Sequence, residues 1–198
     1  MDDDGYPPSR PPRPSRLEPT DPGFPPPARI SGAAPVIVTA TMGAADQRHF
    51  DRLRQVHFPP GRNHLPAHVT LFHQLSPSSR DELDALIRSI AADTPPPAAL
   101  IRDVYSLGRG VAFRIESPDL LAIRARIADR FHGLLTAQDR GTPRLHITVQ
   151  NKASLREART LQDALTEGFC PRPLTITGLA AHLYRGGPWE LLFTRRSE

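Results

Sequence analysis

Two tetrapeptides constrain this chain more than anything else in it: His68-Val69-Thr70-Leu71 and His146-Ile147-Thr148-Val149. Each reads His, aliphatic, Thr, aliphatic, inside an apolar run of strand character. In a strand, successive side chains point to opposite faces. His68 and Thr70 therefore share a face, as do His146 and Thr148, and the aliphatic residues point the other way into a core. A lone His-x-Thr in a buried strand carries little information, because a satisfied core histidine accounts for it. Two copies, near the middles of the two halves of one domain, predict a pair of strands that face each other across a cleft and hold a phosphate.

The surrounding pattern gives these strands matching contexts. Residues 35–41 are rich in β-branched side chains and predict a first strand. Asp46 to Val56 predicts a helix, with Phe50, Leu53 and Val56 at three-residue steps, stopped by Phe58-Pro59-Pro60-Gly61. The first motif strand runs to Leu75. Ser76-Pro77-Ser78-Ser79 predicts a cap for a helix over 80–92, with Leu83, Leu86, Ile87 and Ile90 as its apolar stripe. Two strands follow, 100–107 and 111–116, joined by the hairpin signal Gly108-Arg109-Gly110. Ser117-Pro118 opens a helix to Leu135, with Pro in the favoured first turn. A loop over 136–143 leads into the second motif strand, Ser154 caps a helix to Glu167, and 174–183 with 189–194 form a last hairpin. The order is strand, helix, motif strand, helix, hairpin; then helix, motif strand, helix, hairpin. This predicts an α+β fold: a bilobal, pseudo-twofold duplicated sandwich of antiparallel sheets with helices outside and the motif strands facing a central cleft. The hairpins argue against a doubly wound parallel sheet.

Composition sets the domain limits. The chain of 198 residues holds 23 prolines, and the surplus lies at the N-terminus. Residues 1–34 are therefore expected to be a disordered Pro-rich tail, and 35–198 the folded domain. The formal charge of +4 is a mild attraction for anionic partners, and Lys152 is the one lysine among the basic residues. Cys170 excludes an internal disulfide and a cysteine metal cluster; it is expected to be a buried structural thiol. No stretch has the length of a membrane span and no secretory signal opens the chain, so a cytoplasmic location is expected.

The motifs specify a chemistry. Cleaving a phosphodiester without metal needs a base for the attacking oxygen, an acid for the leaving oxygen, and donors for the phosphoryl oxygens. Imidazole suits the first two near neutral pH. Two histidines on opposite sides of one phosphorus supply both, and the threonine hydroxyls two residues on supply the donors.

In these tetrapeptides, their spacing and the element order, residues 35 to 196 resemble the two-histidine phosphoesterase superfamily, which includes bacterial 2'-5' RNA ligases and RNA 2',3'-cyclic phosphodiesterases. The resemblance implies that His68, Thr70, His146 and Thr148 form a catalytic tetrad, with His68 as proton donor and His146 as proton acceptor. It implies a cyclic phosphodiesterase, or 2'-5' RNA ligase-like enzyme, that opens a 2',3'-cyclic phosphate on RNA ends or small nucleotides, as a monomer and without cofactor or metal. The alternative is a non-catalytic module that binds an RNA end or a nucleotide phosphate. Phe72-His73-Gln74-Leu75 departs from the family's best-known pattern after the first motif.

Lesser candidates surround the motifs. Arg144 shares the face of His146 and is a candidate substrate-binding residue. His64 sits at the entry to the first motif strand. His73 lies on the opposite face from His68, as a core residue or a support for the site. A metal held by His64, His68 and His73 is disfavoured by their alternating faces and the lack of a carboxylate. Lys152, Arg109 and Arg185 are expected on the solvated surface. Tyr105, Tyr184 and Trp189 are expected chiefly as core packing, with base stacking as the alternative.

Overall fold

The computed structural model describes residues 34–59 and 61–197. The expected tail, up to residue 33, and Pro60 of the expected helix stop lie outside the described residues. The elements follow the predicted order: β1 (Val36–Met42), α1 (Ala44–His57), β2 (Val69–Leu75), α2 (Arg80–Asp93), β3 (Leu100–Ser106), β4 (Val111–Glu116), α3 (Pro118–Arg130), α4 (Ala137–Arg140), β5 (His146–Gln150), α5 (Leu155–Thr166), β6 (Arg172–Pro173), β7 (Ile176–Leu183) and β8 (Glu190–Arg196).

The strands form two four-stranded sheets, ordered β2-β1-β7-β8 and β5-β4-β3-β6, and every pairing is antiparallel. The duplicated α+β sandwich expected from the element order is thus observed. Its hairpins are exchanged, however. The β3–β4 hairpin of the first half pairs with the second motif strand, β5, and the β7–β8 hairpin joins β1 and the first motif strand. Each motif strand ends up as the outermost strand of its own sheet.

The alternation of side chains explains how each sheet is used. On β1, Val36, Val38, Ala40 and Met42 enter the core. On β2 and β5, Val69, Leu71, Ile147 and Val149 are buried with them, while Thr70 and Thr148 are only half-buried. The core is one cluster drawn from both sheets and from Phe50, Leu83, Ile87, Leu120 and Ile127 of the helices. Each such side chain contributes about 1.5–3 kcal/mol through burial. Helix α1 lies on β5, α5 on β3 and β4, and α2 on β7 and β8.

Local signals account for most helix starts. The Ser117 hydroxyl accepts from the Leu120 N–H, and Ser154 with Glu157 forms a reciprocal capping box. The expected serine cap of α2 is not made. Pro77–Ser79 instead folds into a 3-10 turn, and the Ser79 hydroxyl is buried without capping the helix. The helix expected to reach Leu135 stops at Arg130, and a second 3-10 turn spans His132–Leu134. Cys170 is exposed, which corrects the expectation of a buried thiol: it lies beyond α5, after Gly168 turns the chain with φ +69°.

Candidate active site

Both motif histidines are held in the same way. The His68 Nδ1 lies 2.8 Å from the Pro66 carbonyl, and the His146 Nδ1 lies 2.7 Å from the Arg144 carbonyl. A carbonyl only accepts, so Nδ1 carries the hydrogen in both rings. Each ring is thus pinned to the carbonyl two residues back, and Nε2 is turned away from its own backbone with its lone pair free to take a proton. The bond defines the tautomer at both positions.

The two motif strands are in contact, and His146 is close enough for its charge to oppose protonation of His68. Burial pushes the His68 imidazole down to about 4; the carbonyl of Pro66 works against this, and Arg54, His146 and His182 add to it. His146 is also lowered, first by burial and then, after the raising effect of the Arg144 carbonyl, by His73. Both rings are therefore mainly neutral at pH 7 in the free protein.

The sheets present different surfaces to the site. The cross-strand register places Thr70, Thr39, Ala180 and Thr194 in one row of the first sheet. His182 donates to or accepts from the Thr39 hydroxyl at 3.2 Å. Trp189 packs on His68, with ring centroids 4.6 Å apart, and on His182 at 5.5 Å. Thr39, Ala180, Thr194, His182, Trp189 and His68, with Thr41, Gln47, His64, Pro188 and Leu191, line a pocket of about 370 Å³. Among the described residues, no formally charged side chain lines it. On the second sheet the register sets Arg114 beside His146 and Ala112 beside Thr148. Tyr105 meets His146 edge-on at 6.2 Å, and Arg114 lies over the Tyr105 ring at 5.3 Å. Arg144 is exposed, and its charge is felt by the Tyr105 phenol. Arg114 is paired with Asp103 at 3.3 Å, so Arg144 gives the second sheet its cationic side, and the uncharged pocket is on the first.

The expectation of core packing is corrected for two aromatic residues, and the other lesser candidates are placed. Tyr105 and Trp189 are not core residues; they pack on the two motif histidines. Tyr184 is half-buried at the end of β7, and its N–H bonds to the Pro35 carbonyl. His73 sits on Asp139, whose carboxylate accepts from the His73 and Gln74 N–H groups at 2.9 Å each. Arg109 is tied to the Ala153 carbonyl at 3.0 Å, and Arg185 pairs with Glu190 at 3.0 Å. Lys152 is exposed in a left-handed turn with φ +59°. Among the described residues, no three His, Cys, Asp or Glu side chains gather as metal ligands would, and no helix is long and apolar enough to cross a membrane.

The sequence profile of the 2'-5' RNA ligase superfamily matches residues 43–188, which span both motifs. The chain belongs to this superfamily. The solved structures it resembles include TT0787 of Thermus thermophilus, at TM-score 0.55 and 16% identity over 82% of this chain and 97% of that one. They also include E. coli LigT complexed with 3'-AMP, at TM-score 0.50 and 18% identity over 82% and 97%. At this identity the likeness is one of fold, and it is the two-sheet fold of the 2'-5' RNA ligase superfamily that the chain shares. No curated protein matches the chain by sequence.

The site residues missed by sequence reasoning are His182, Arg114, Arg54 and Asp139. His182 alternates with Ala180 on one face of an otherwise apolar strand, a signal that was present. Arg54 follows Phe50 by one helical turn on the buried stripe of α1, so an arginine on an apolar face was the visible anomaly. Arg114 becomes legible only once the strand register is known, and Asp139 only once α4 is packed on β2.

Proposed function

We propose that this member of the 2'-5' RNA ligase superfamily is a phosphoesterase that opens 2',3'-cyclic phosphates on RNA ends or small nucleotides, with the acid–base work done by His68 and His146. The observation that carries this is the matched pair of Nδ1–H to carbonyl bonds, which present two Nε2 atoms from opposite motif strands. Water attacks phosphorus as the His146 Nε2 takes its proton. The bond from phosphorus to the 3' oxygen breaks, and that oxygen takes a proton from the His68 Nε2. The products are a 2'-phosphate and a 3' hydroxyl. Thr70 and Thr148 donate to the non-bridging oxygens, where charge grows in the transition state. Arg144 attracts the phosphate from the second-sheet side, where the charge of Arg114 is already offset by Asp103.

Both imidazoles are mainly neutral in the free protein at pH 7, so the acid gains its charge chiefly as substrate binds. The phosphate anion does this, because an opposite charge within about 4–6 Å favours the imidazolium. LigT was crystallised with 3'-AMP, and the uncharged pocket beside His68 suits the nucleoside of such a ligand here. Both motifs come from one chain, so a monomer suffices.

The test is turnover of 2',3'-cyclic mononucleotides and cyclic-phosphate RNA ends in excess chelator. His68→Ala and His146→Ala are each expected to lose at least about a thousandfold in kcat, the scale of removing a general acid or base together with its orientation. Full activity in either variant refutes the acid and base roles of these two rings. Tight binding of a 2'-phosphate nucleotide with no turnover across the panel would establish the binding-module reading instead.

A further inference from the structure

We propose that Arg54 and Arg124 are reciprocal positioning residues that set the separation of the two motif strands; the inference rests on the two-histidine reading above. No backbone ladder joins the two sheets among the described residues, so the distance across the site must be set by side chains. Two arginines do this with the same pattern. Arg54, on the helix that precedes β2, donates through Nε to the Leu65 carbonyl at 3.2 Å and to Asn63 Oδ1 at 3.1 Å, in the segment entering β2. Its Nη1 crosses to the other sheet and donates to the Thr148 carbonyl at 2.8 Å, inside the second motif. Arg124, on α3, donates through Nη2 to the carbonyls of Asp139 in α4 and of Gly141 just after it, on the way into β5. Its Nε crosses the other way to the Leu71 carbonyl at 3.0 Å, inside the first motif. Each guanidinium also lies over a phenyl ring, Arg54 over Phe58 at 4.3 Å and Arg124 over Phe72 at 4.8 Å.

The choice of residue supports the assignment. Arg54 and Arg124 are only 5% and 8% exposed, and their acceptors are mostly neutral carbonyls. Burying a full charge against neutral partners is a poor route to stability, and apolar packing of similar volume does as well or better. What an apolar side chain cannot do is fix the distance between three acceptors on two separate elements. The planar fork of a guanidinium does so, and a lysine ammonium, a single point with rotating donors, does not. Reacting groups displaced by about 1 Å lose about a hundredfold in rate, so a device holding two histidines at one spacing acts on kcat.

The experiment compares Arg54→Lys, Arg124→Lys and the double variant with wild type, and adds Asn63→Ala, which removes one acceptor and leaves the charge. Expected are kcat losses of at least about tenfold in each lysine variant, with KM within about threefold. Asn63→Ala is expected to lose a smaller factor in kcat. The double variant is expected to lose less than the product of the singles, because both bonds hold one distance. Crystal structures of wild type and the lysine variants give a second readout, the His68–His146 separation, with a change of about 1 Å expected. Folded lysine variants with kcat within twofold and an unchanged separation overturn the proposal. If the lysine variants do not fold, an Asn63→Ala protein indistinguishable from wild type in both readouts overturns it. If wild type turns over no cyclic phosphate, the functional reading fails by itself, and the separation measurement still decides the positioning role.

Discussion

The depressed imidazoles predict an acid-shifted rate profile. Catalysis as described needs one proton shared between His68 and His146, because one ring donates and the other accepts. With His68 held at about 4, only about one molecule in a thousand has it protonated at pH 7. His146 is lowered from its ordinary 6.5, so the higher of the two values also lies below 6.5. The singly protonated pair is then most abundant between them, and its share falls toward tenfold per pH unit above the higher value. Even at the limit of 6.5, the share at pH 7 is about a quarter. From pH 6 to pH 8, kcat/KM is therefore expected to fall by between about twentyfold and a hundredfold. The substrate phosphate stays a monoanion throughout, so kcat/KM reports the free enzyme's pair. The kcat profile, measured with the anion bound, is expected to lie at higher pH, because the phosphate stabilises the imidazolium. Initial rates on a 2',3'-cyclic nucleotide from pH 4 to 9, at constant ionic strength and with substrate below KM, measure the first. Carbon-labelled imidazole NMR of the free protein assigns the titrations. A flat kcat/KM between pH 6 and 8, or a His68 ring titrating at 6.5 or above, refutes the electrostatic reasoning.

Three further outcomes follow from contacts described above. His68, His146 and His182 all have depressed folded values, so the unfolded chain takes protons first. Stability to urea is then expected to be full above about pH 6.5 and to decline toward pH 4, less steeply in His68→Ala. Asp139 is 1% exposed and accepts from two β2 amides; Asp139→Ala is expected to lose about 2–5 kcal/mol by chemical denaturation, since both donors are left unsatisfied. Trp189→Ala opens the pocket and uncovers His68; KM is expected to rise about tenfold, and the His68 titration to move up toward its ordinary range, which NMR checks.

Much of the fold was legible because its signals are local. Period-two and period-three-to-four patterns marked the elements, and two His-x-Thr copies marked the candidate site. The exchange of hairpins was not legible. Strand pairing between residues far apart leaves no periodic trace, and the order of elements does not say which motif strand a hairpin joins. The role of Arg54 was hidden for a related reason: in a helix of otherwise polar character, an arginine reads as solvated surface unless its position on the Phe50 stripe is weighed. Trp189 and Tyr105 look like core aromatics by composition, and only the register of β7 with β8 and of β3 with β4 turns them toward the histidines. The left-handed Gly178, with φ +147° and no room for a Cβ beside the Arg195 carbonyl, shows how closely that last hairpin is fitted.

The same exchange of hairpins has a consequence for how the protein is born. The first sheet is built from both ends of the fold, so that Thr39 meets His182 across 143 residues. The second sheet uses only the middle of the chain, apart from the short β6. On the ribosome, β3, β4 and β5 emerge together and can pair at once, with low contact order. β1 and the first motif strand β2 can pair early, but the other edge of β1 stays open until β7 and β8 have left the exit tunnel. Half of the site is therefore assembled late, and a chain stalled before β7 carries both motifs but cannot build the pocket beside His68. Such an exposed edge is a ready template for pairing with another chain, so the interval before β7 arrives is the point in synthesis most open to chaperone capture.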